Sequence, residues 1–203
     1  MFRFRDGLVP HCDLRRRSAS IGAAVTRGLA LAACLSGSLS PAAPDPKPTD
    51  FQVKAAYLSD LGRFVETWGT RPKPSPDESF DLCVLGQDPF GASLDTAVLG
   101  EKIGGSPLAA KRIARPQDAL GCRVLFIGSS EGGQLSAVMA ALGTAPVLTV
   151  ADIPDFIKQG GMIQFVLDGD KVKFEINIAS ARRAGLKLSS DLLKVARMVR
   201  KTP

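Results

Sequence analysis

Four short, almost unbroken apolar runs constrain this chain more than any other feature: Phe80 to Leu85, Val124 to Ile127, Val147 to Val150 and Met162 to Val166. Runs that lack the alternation of a half-exposed strand belong to strands covered on both faces, as in parallel sheets. Helix-length stretches separate them, at Pro89 to Val98, Gly133 to Leu142 and Pro154 to Gln159. Strand and helix in regular succession predict a mostly parallel sheet between two helical layers, a three-layer α/β/α architecture. With 203 residues, 45% of them hydrophobic and 23% charged, the chain has material for one such core, and neither a disordered nor a fibrous class is favoured.

Ahead of the first run, Phe51, Ala55, Leu58, Leu61, Phe64, Val65 and Trp68 recur at three- and four-residue steps. This predicts one amphipathic helix, capped by Asp50 and stopped by Gly69 with Pro72, Pro74 and Pro76. After the last run, Asp168-Gly169-Asp170-Lys171 separates Met162 to Leu167 from Val172 to Ile176. An Asp-Gly pair between two apolar stretches predicts a hairpin, and so an antiparallel edge to the sheet. Gly160-Gly161 reads as a tight turn into that hairpin. The tail from Asn177 to Val199 reads as helical, with Asn177 and Ser189-Ser190 as caps and an apolar stripe of Leu192, Leu193, Val195, Ala196 and Val199.

The beginning of the chain has a different character. Arg15-Arg16-Arg17 precede a run of apolar and small residues from Ile21 to Leu39, and Pro41, Pro44, Pro46 and Pro48 follow it. That order is the pattern of a secretory signal. Arg27 interrupts the run, and its unbroken part, Gly28 to Leu35, falls far below the ~20 residues of a spanning helix. The organisation read from this is a signal peptide over residues 1–42, a Pro-rich spacer over 43–50 and a single α/β domain over 51–203. Ser40-Pro41-Ala42 offers ordinary signal cleavage. Leu31-Ala32-Ala33-Cys34 has the form of a lipobox and offers the alternative of a lipid anchor at Cys34. The formal charge of +6 is concentrated in the same region: six arginines face two aspartates in the first 27 residues, and the remainder carries +2. A domain so near neutrality has no electrostatic footprint for nucleic acid.

Catalytic chemistry finds little to work with. The only histidine, His11, lies in the leader, so the exported domain can build neither a Ser/His triad nor a histidine-rich zinc site. The domain therefore reads as non-enzymatic and free of cofactor. Asp152, Asp155 and Glu175 are candidates for a carboxylate-only enzyme, against the plainer reading of caps and solvated edge charges. Gly128-Ser129-Ser130-Glu131-Gly132-Gly133 follows an apolar strand and opens a helix, where an α/β fold presents backbone N–H groups to an anion. Ser129, Ser130 and Gly132 are its candidate residues. The stretch lacks both the GxGxxG spacing and a Walker lysine. It reads first as a strand-to-helix turn, with nucleotide or small-ligand binding as the alternative.

A set of short stretches carries a resemblance over roughly residues 51–199. They are Lys54-Ala55-Ala56-Tyr57-Leu58 with Phe64-Val65-Glu66, Cys83-Val84-Leu85-Gly86, Pro89-Phe90-Gly91, Cys122-Arg123-Val124-Leu125-Phe126-Ile127, Val147-Leu148-Thr149-Val150 and Gly160-Gly161-Met162-Ile163. The most specific stretch closes the set: Val172-Lys173-Phe174-Glu175-Ile176-Asn177, Ala181, Gly185-Leu186-Lys187-Leu188-Ser189-Ser190 and Leu192-Leu193. In this order and spacing they resemble the YfiR-like proteins of Gram-negative bacteria. The resemblance implies a periplasmic, often dimeric protein that binds the periplasmic part of a membrane-bound diguanylate cyclase and holds it inactive, with release raising cyclic di-GMP and favouring biofilm growth. Within the resembling tail, Phe174, Glu175, Asn177 and Arg182 are the candidates for contact with a partner or ligand.

The chain keeps cysteines at the matching strand positions, Cys83 and Cys122, and has no further pair between Ala151 and Gly161, so a second disulfide of the family is absent here. Once a leader is removed, these two are the only thiols left. In an oxidising compartment they would tend to pair, with two buried free thiols as the alternative. Such a bond reads as a structural staple, with a redox-responsive switch as the second possibility.

Overall fold

The computed structural model describes residues 47–201. The proposed signal peptide over 1–42, its cleavage and lipobox motifs with Cys34, and the first part of the spacer lie outside the described residues. Ten strands and five α-helices follow in the order α1 (Asp50–Leu61), β1 (Val65–Trp68), β2 (Phe80–Leu85), α2 (Ala92–Val98), β3 (Lys102–Ile103), β4 (Ser106–Ile113), β5 (Val124–Ile127), α3 (Leu135–Leu142), β6 (Leu148–Ala151), β7 (Ile163–Asp168), β8 (Lys171–Asn177), α4 (Ile178–Arg183), β9 (Leu186–Leu188), α5 (Ser190–Val195) and β10 (Met198–Arg200). Eight strands form one sheet in the order β10-β8-β7-β6-β5-β2-β4-β3, and β1 pairs with β9 in a separate two-stranded ribbon.

The four apolar runs are the central strands. β2 lies parallel to both β4 and β5, and β5, β6 and β7 continue in parallel. Their pleat divides the core in two. Leu82, Val84, Val124, Phe126, Leu148, Val150, Ile163 and Phe165 point to the face covered by α1, α2, α4, α5 and the β1–β9 ribbon. Cys83, Leu85, Leu125, Ile127 and Ala151 point to the face covered by α3 and the 3-10 turns at Pro116–Gly121 and Phe156–Gln159. Both faces are covered, giving the three-layer α/β/α arrangement with a mostly parallel sheet. The Asp-Gly hairpin is present as antiparallel β7 and β8, in register from Ile163 opposite Ile176 to Asp168 opposite Lys171.

Several expectations are corrected. The first helix stops at Leu61 and does not reach Trp68. A 3-10 turn over Gly62–Phe64 leads into β1, whose pairing with β9 carries an irregularity between Val65 and Thr67. A bulge puts two residues opposite one, so Val65 and Trp68, three apart, both turn into the core and imitate helical spacing. The N-cap is Thr49, not Asp50: the Thr49 Oγ1 accepts from the Gln52 amide at 3.3 Å while the Thr49 amide donates to Gln52 Oε1 at 2.8 Å. This is a capping box. β8 is not the edge of the sheet, because β10 lies parallel along its outer side.

The tail is helical only in its two short segments α4 and α5, with β9 between them and β10 after them. α4 gives way at Gly185, which takes a φ of +73° and comes so near Gly69 that an added Cβ would lie 2.9 Å from the Gly69 Cα. That close approach lets β9 pair with β1, and only glycines permit it. Asn177 and Ser189 do cap the two short helices, accepting from the amides of Ser180 and Leu192.

Candidate functional site

In a doubly wound sheet, ligands gather beyond the carboxyl ends of the strands where successive crossovers diverge. Here that place is between β2 and β5, because the chain passes from β2 outward to β4 and then back across β2 to β5. The crevice is stitched together by its own groups. The Gly128 amide donates to the Leu85 carbonyl at 2.9 Å, and the Gln87 amide donates to Ser130 Oγ at 2.9 Å. The Ser130 hydroxyl in turn donates to Glu131 Oε1 at 3.1 Å. A carboxylate therefore sits beside the hydroxyl that an anion would have to approach. Ser129 and Gly132 lie exposed on the same 3-10 turn, Ser129–Gln134.

The candidate acids do not converge as a pair. Asp152, just beyond β6, takes the Lys54 ammonium at 2.8 Å in a largely buried pair, and Lys54 also stands 5.1 Å from the Phe51 ring. Asp155 pairs with Lys158 at 2.7 Å, and Glu175 faces Arg197 at 3.8 Å. Each carboxylate has its own cation, the arrangement of tethering ion pairs and not of two acids sharing one substrate. Among the described residues no group of three His, Cys, Asp or Glu side chains has the geometry to hold a metal ion.

Cys83 and Cys122 are joined in a disulfide, with Cα atoms 6.0 Å apart. Cys83 is fully buried in β2 and Cys122 is 3% exposed at the end of the 3-10 turn before β5. Two arginines frame the bond. Arg71 donates to the carbonyls of Gly121 at 2.5 Å and Cys122 at 2.6 Å. Arg123 donates to the Pro72 carbonyl and lies 5.6 Å from the Trp68 ring, while its Nη1 is buried without a hydrogen-bond partner. Burial, and then the neighbouring Arg71, lowers the Arg123 pKa, and Glu78 opposes them. Together the two guanidiniums pin the proline loop to the disulfide-bearing segment. Neither was legible as a site residue, because an arginine's carbonyl partners leave no mark in sequence. Buried Lys54 did leave one: it falls beside Phe51, Ala55 and Leu58 on the apolar stripe of α1.

The four candidates of the tail are separated. Phe174 and Glu175 are neighbours on β8, so the pleat sends them to opposite faces. Phe174 is buried beneath Tyr57, ring centroids 5.9 Å apart. Asn177 is 2% exposed, donating through Nδ2 to the Ile157 carbonyl at 2.8 Å and accepting the Ser180 amide at 3.0 Å. Arg182 alone is presented to solvent, and its side chain has no partner among the described residues. It stands on the rim of a cavity of about 360 Å³ between α4, α5 and the β1–β9 ribbon, floored by Ile178, Leu186, Leu188 and Leu193. Beside it Lys187 pairs with Glu66 at 2.8 Å.

Comparison with known proteins decides what this arrangement belongs to. Residues 51–197 match the DUF4154 family, described as YfiR/HmsC-like, which is well over half of the chain. The chain belongs to the YfiR/HmsC-like family. The match covers both the disulfide and the Arg182 cavity of this YfiR/HmsC-like domain. Among solved structures, a conserved domain protein from Vibrio cholerae O1 biovar El Tor strain N16961 superposes with a TM-score of 0.52 at 10% identity, covering 75% of this chain and 60% of that one. The ABC domain from Streptococcus pneumoniae in complex with L-Trp gives a TM-score of 0.48 at 11% identity, over 71% of this chain and 60% of that one. The YfiR/HmsC-like chain thus spans 60% of the length of each. At such identity the Vibrio cholerae likeness speaks to fold alone.

Proposed function

We propose that this protein is an exported, non-enzymatic regulator that binds the periplasmic part of an inner-membrane diguanylate cyclase and represses it. The observation that carries the reading is membership of the YfiR/HmsC-like family across residues 51–197. The site geometry supports it by what fills the places where chemistry would happen. The β2–β5 crevice is closed by Ser130 and Glu131, and the acids are tied singly to cations. Among the described residues the cavity rimmed by Arg182 is open to solvent, and such surfaces serve recognition.

Export through the segment over residues 1–42, with a lipid anchor at Cys34 as the alternative, brings the domain to the compartment where the Cys83–Cys122 bond persists. Burial of both cysteines supports the bond's part as a staple. A redox response would act through opening of the domain, which exposes the sulfurs. The working unit is a homodimer. Among the described residues no helix is long and apolar enough to cross a membrane, which is compatible with a partner supplying the membrane attachment.

The test is affinity capture of the tagged protein from crosslinked envelopes, followed by mass spectrometry in oxidising and reducing conditions. Recovery of a membrane diguanylate cyclase is the expected result. Enrichment of no membrane receptor at any crosslinker dose would remove the regulator reading, and recovery unaffected by reductant would remove its redox part.

A further inference from the structure

The charge of the described chain is unevenly placed. Between residues 47 and 181 thirteen Lys and Arg stand against sixteen Asp and Glu, whereas between 182 and 201 seven Lys and Arg stand against Asp191 alone. Most of that C-terminal charge is at the surface, with Arg182, Arg183, Lys187, Lys194 and Arg197 all exposed. Some is already spent locally, Lys187 on Glu66, Lys194 on Asp191 and Arg197 on Glu175. Arg182 is not, and it lines the cavity together with the paired Lys187 and Glu66. A solvent-facing guanidinium lining the same cavity as Ile178, Leu186, Leu188 and Leu193 offers two complementary holds, a planar fork for a carboxylate and an oily recess for its neighbour. The same C-terminal segment leaves two large apolar side chains, Val195 and Met198, 46% and 44% exposed.

We propose that this basic C-terminal face is the docking surface for an acidic protein segment, which places an apolar side chain in the cavity and an adjacent Asp or Glu carboxylate on Arg182. The proposal rests on the regulator reading only for where the segment comes from, the exported part of the partner. The surface itself follows from charge complementarity and the cavity. Apolar burial holds the segment while the excess of cations selects its sign and speeds encounter, so affinity falls with salt and like-charged segments are rejected. Anionic lipid would satisfy the charges but not a recess lined by Ile178, Leu186, Leu188 and Leu193, in whose wall Lys187 is already tied to Glu66.

The experiment uses the full-length chain and a fluorescein-labelled peptide of about ten residues that alternates Leu and Glu, read by anisotropy, with the Leu and Lys counterpart and phosphatidylglycerol vesicles as the other probes. The Leu/Glu peptide is expected to bind, to weaken steadily as salt is raised, and to lose about tenfold in affinity with Arg182→Glu while Arg182→Lys keeps most of it. Since Arg182 is exposed and unpaired, both variants should fold, and their circular dichroism and melting points check this. Equal binding of the Leu/Lys peptide, affinity unmoved by Arg182→Glu, or vesicle binding without peptide binding would overturn the proposal. These outcomes do not depend on the cyclase: capture of the cyclase by Arg182→Glu protein as well as by wild type would sink this surface and leave the regulator reading standing.

Discussion

A single methyl group probes the turn that carries the chain into β7. An added Cβ on Gly161 would lie 2.2 Å from the ring of Phe156, which is fully buried on the α3 face of the sheet. Neither can yield without opening the core, so Gly161→Ala is expected to lower stability by ~1–3 kcal/mol, read as an earlier urea midpoint with unchanged slope. Asn177→Ala strips partners from the Ile157 carbonyl and the Ser180 amide at once and is expected to cost about 1–3 kcal/mol in the same measurement. The Glu66–Lys187 pair tests an exposed contact. Its hydrogen bond raises the Lys187 pKa, so any stability it adds is present below the unfolded lysine value of about 10.4 and is lost as pH rises through the higher folded value. A difference in melting point between wild type and Glu66→Gln should therefore be seen at neutral pH and fade in strong alkali. A difference that grows with alkalinity would contradict that sign.

The disulfide ties elements together across the sheet. It closes a separation of 39 residues between β2 and the turn before β5, for which loop entropy gives roughly 3–4 kcal/mol. Replacing both cysteines by serine should lower stability by about that amount. With both sulfurs buried, reductant alone should act on the intact protein only at the rate at which the domain opens. Measuring thiol release against denaturant checks this. The central strands and the hairpin were legible because a strand covered on both faces has no polar alternation to confuse, and Asp168-Gly169 can hardly be anything but a turn. β1 was hidden by its bulge, which gives Val65 and Trp68 a helical spacing. β4 was hidden by its position: next to the edge, it alternates Ser106 and Leu108 inward with Pro107 outward and carries exposed Lys111 and Arg112 before its last residue, Ile113, so no apolar run marks it. β9 and β10 are three residues each, too short for any period to show.

At the scale of the whole molecule, the sheet order places the disulfide and α3 on one side, and the ribbon, α4 and α5 with their open basic face on the other. Of the candidate site, Arg182 was legible as a tail residue. Its separation from Phe174, Glu175 and Asn177 was not, because it depends on the pleat of β8 and on the break at Gly185. Arg71 and Arg123 came from contacts between distant segments that no local pattern announces. The regulator account reduces to one claim, that this domain acts on a cyclase in the membrane and not on a substrate of its own. The most direct measurement is the rate of cyclic di-GMP formation from GTP by envelope vesicles that present the periplasmic face of the cyclase outward, with increasing amounts of the purified protein added. The account predicts a saturable fall in that rate, relieved by raising salt and weaker with Arg182→Glu. A rate unchanged at saturating protein, in vesicles whose cyclase is active, would contradict it.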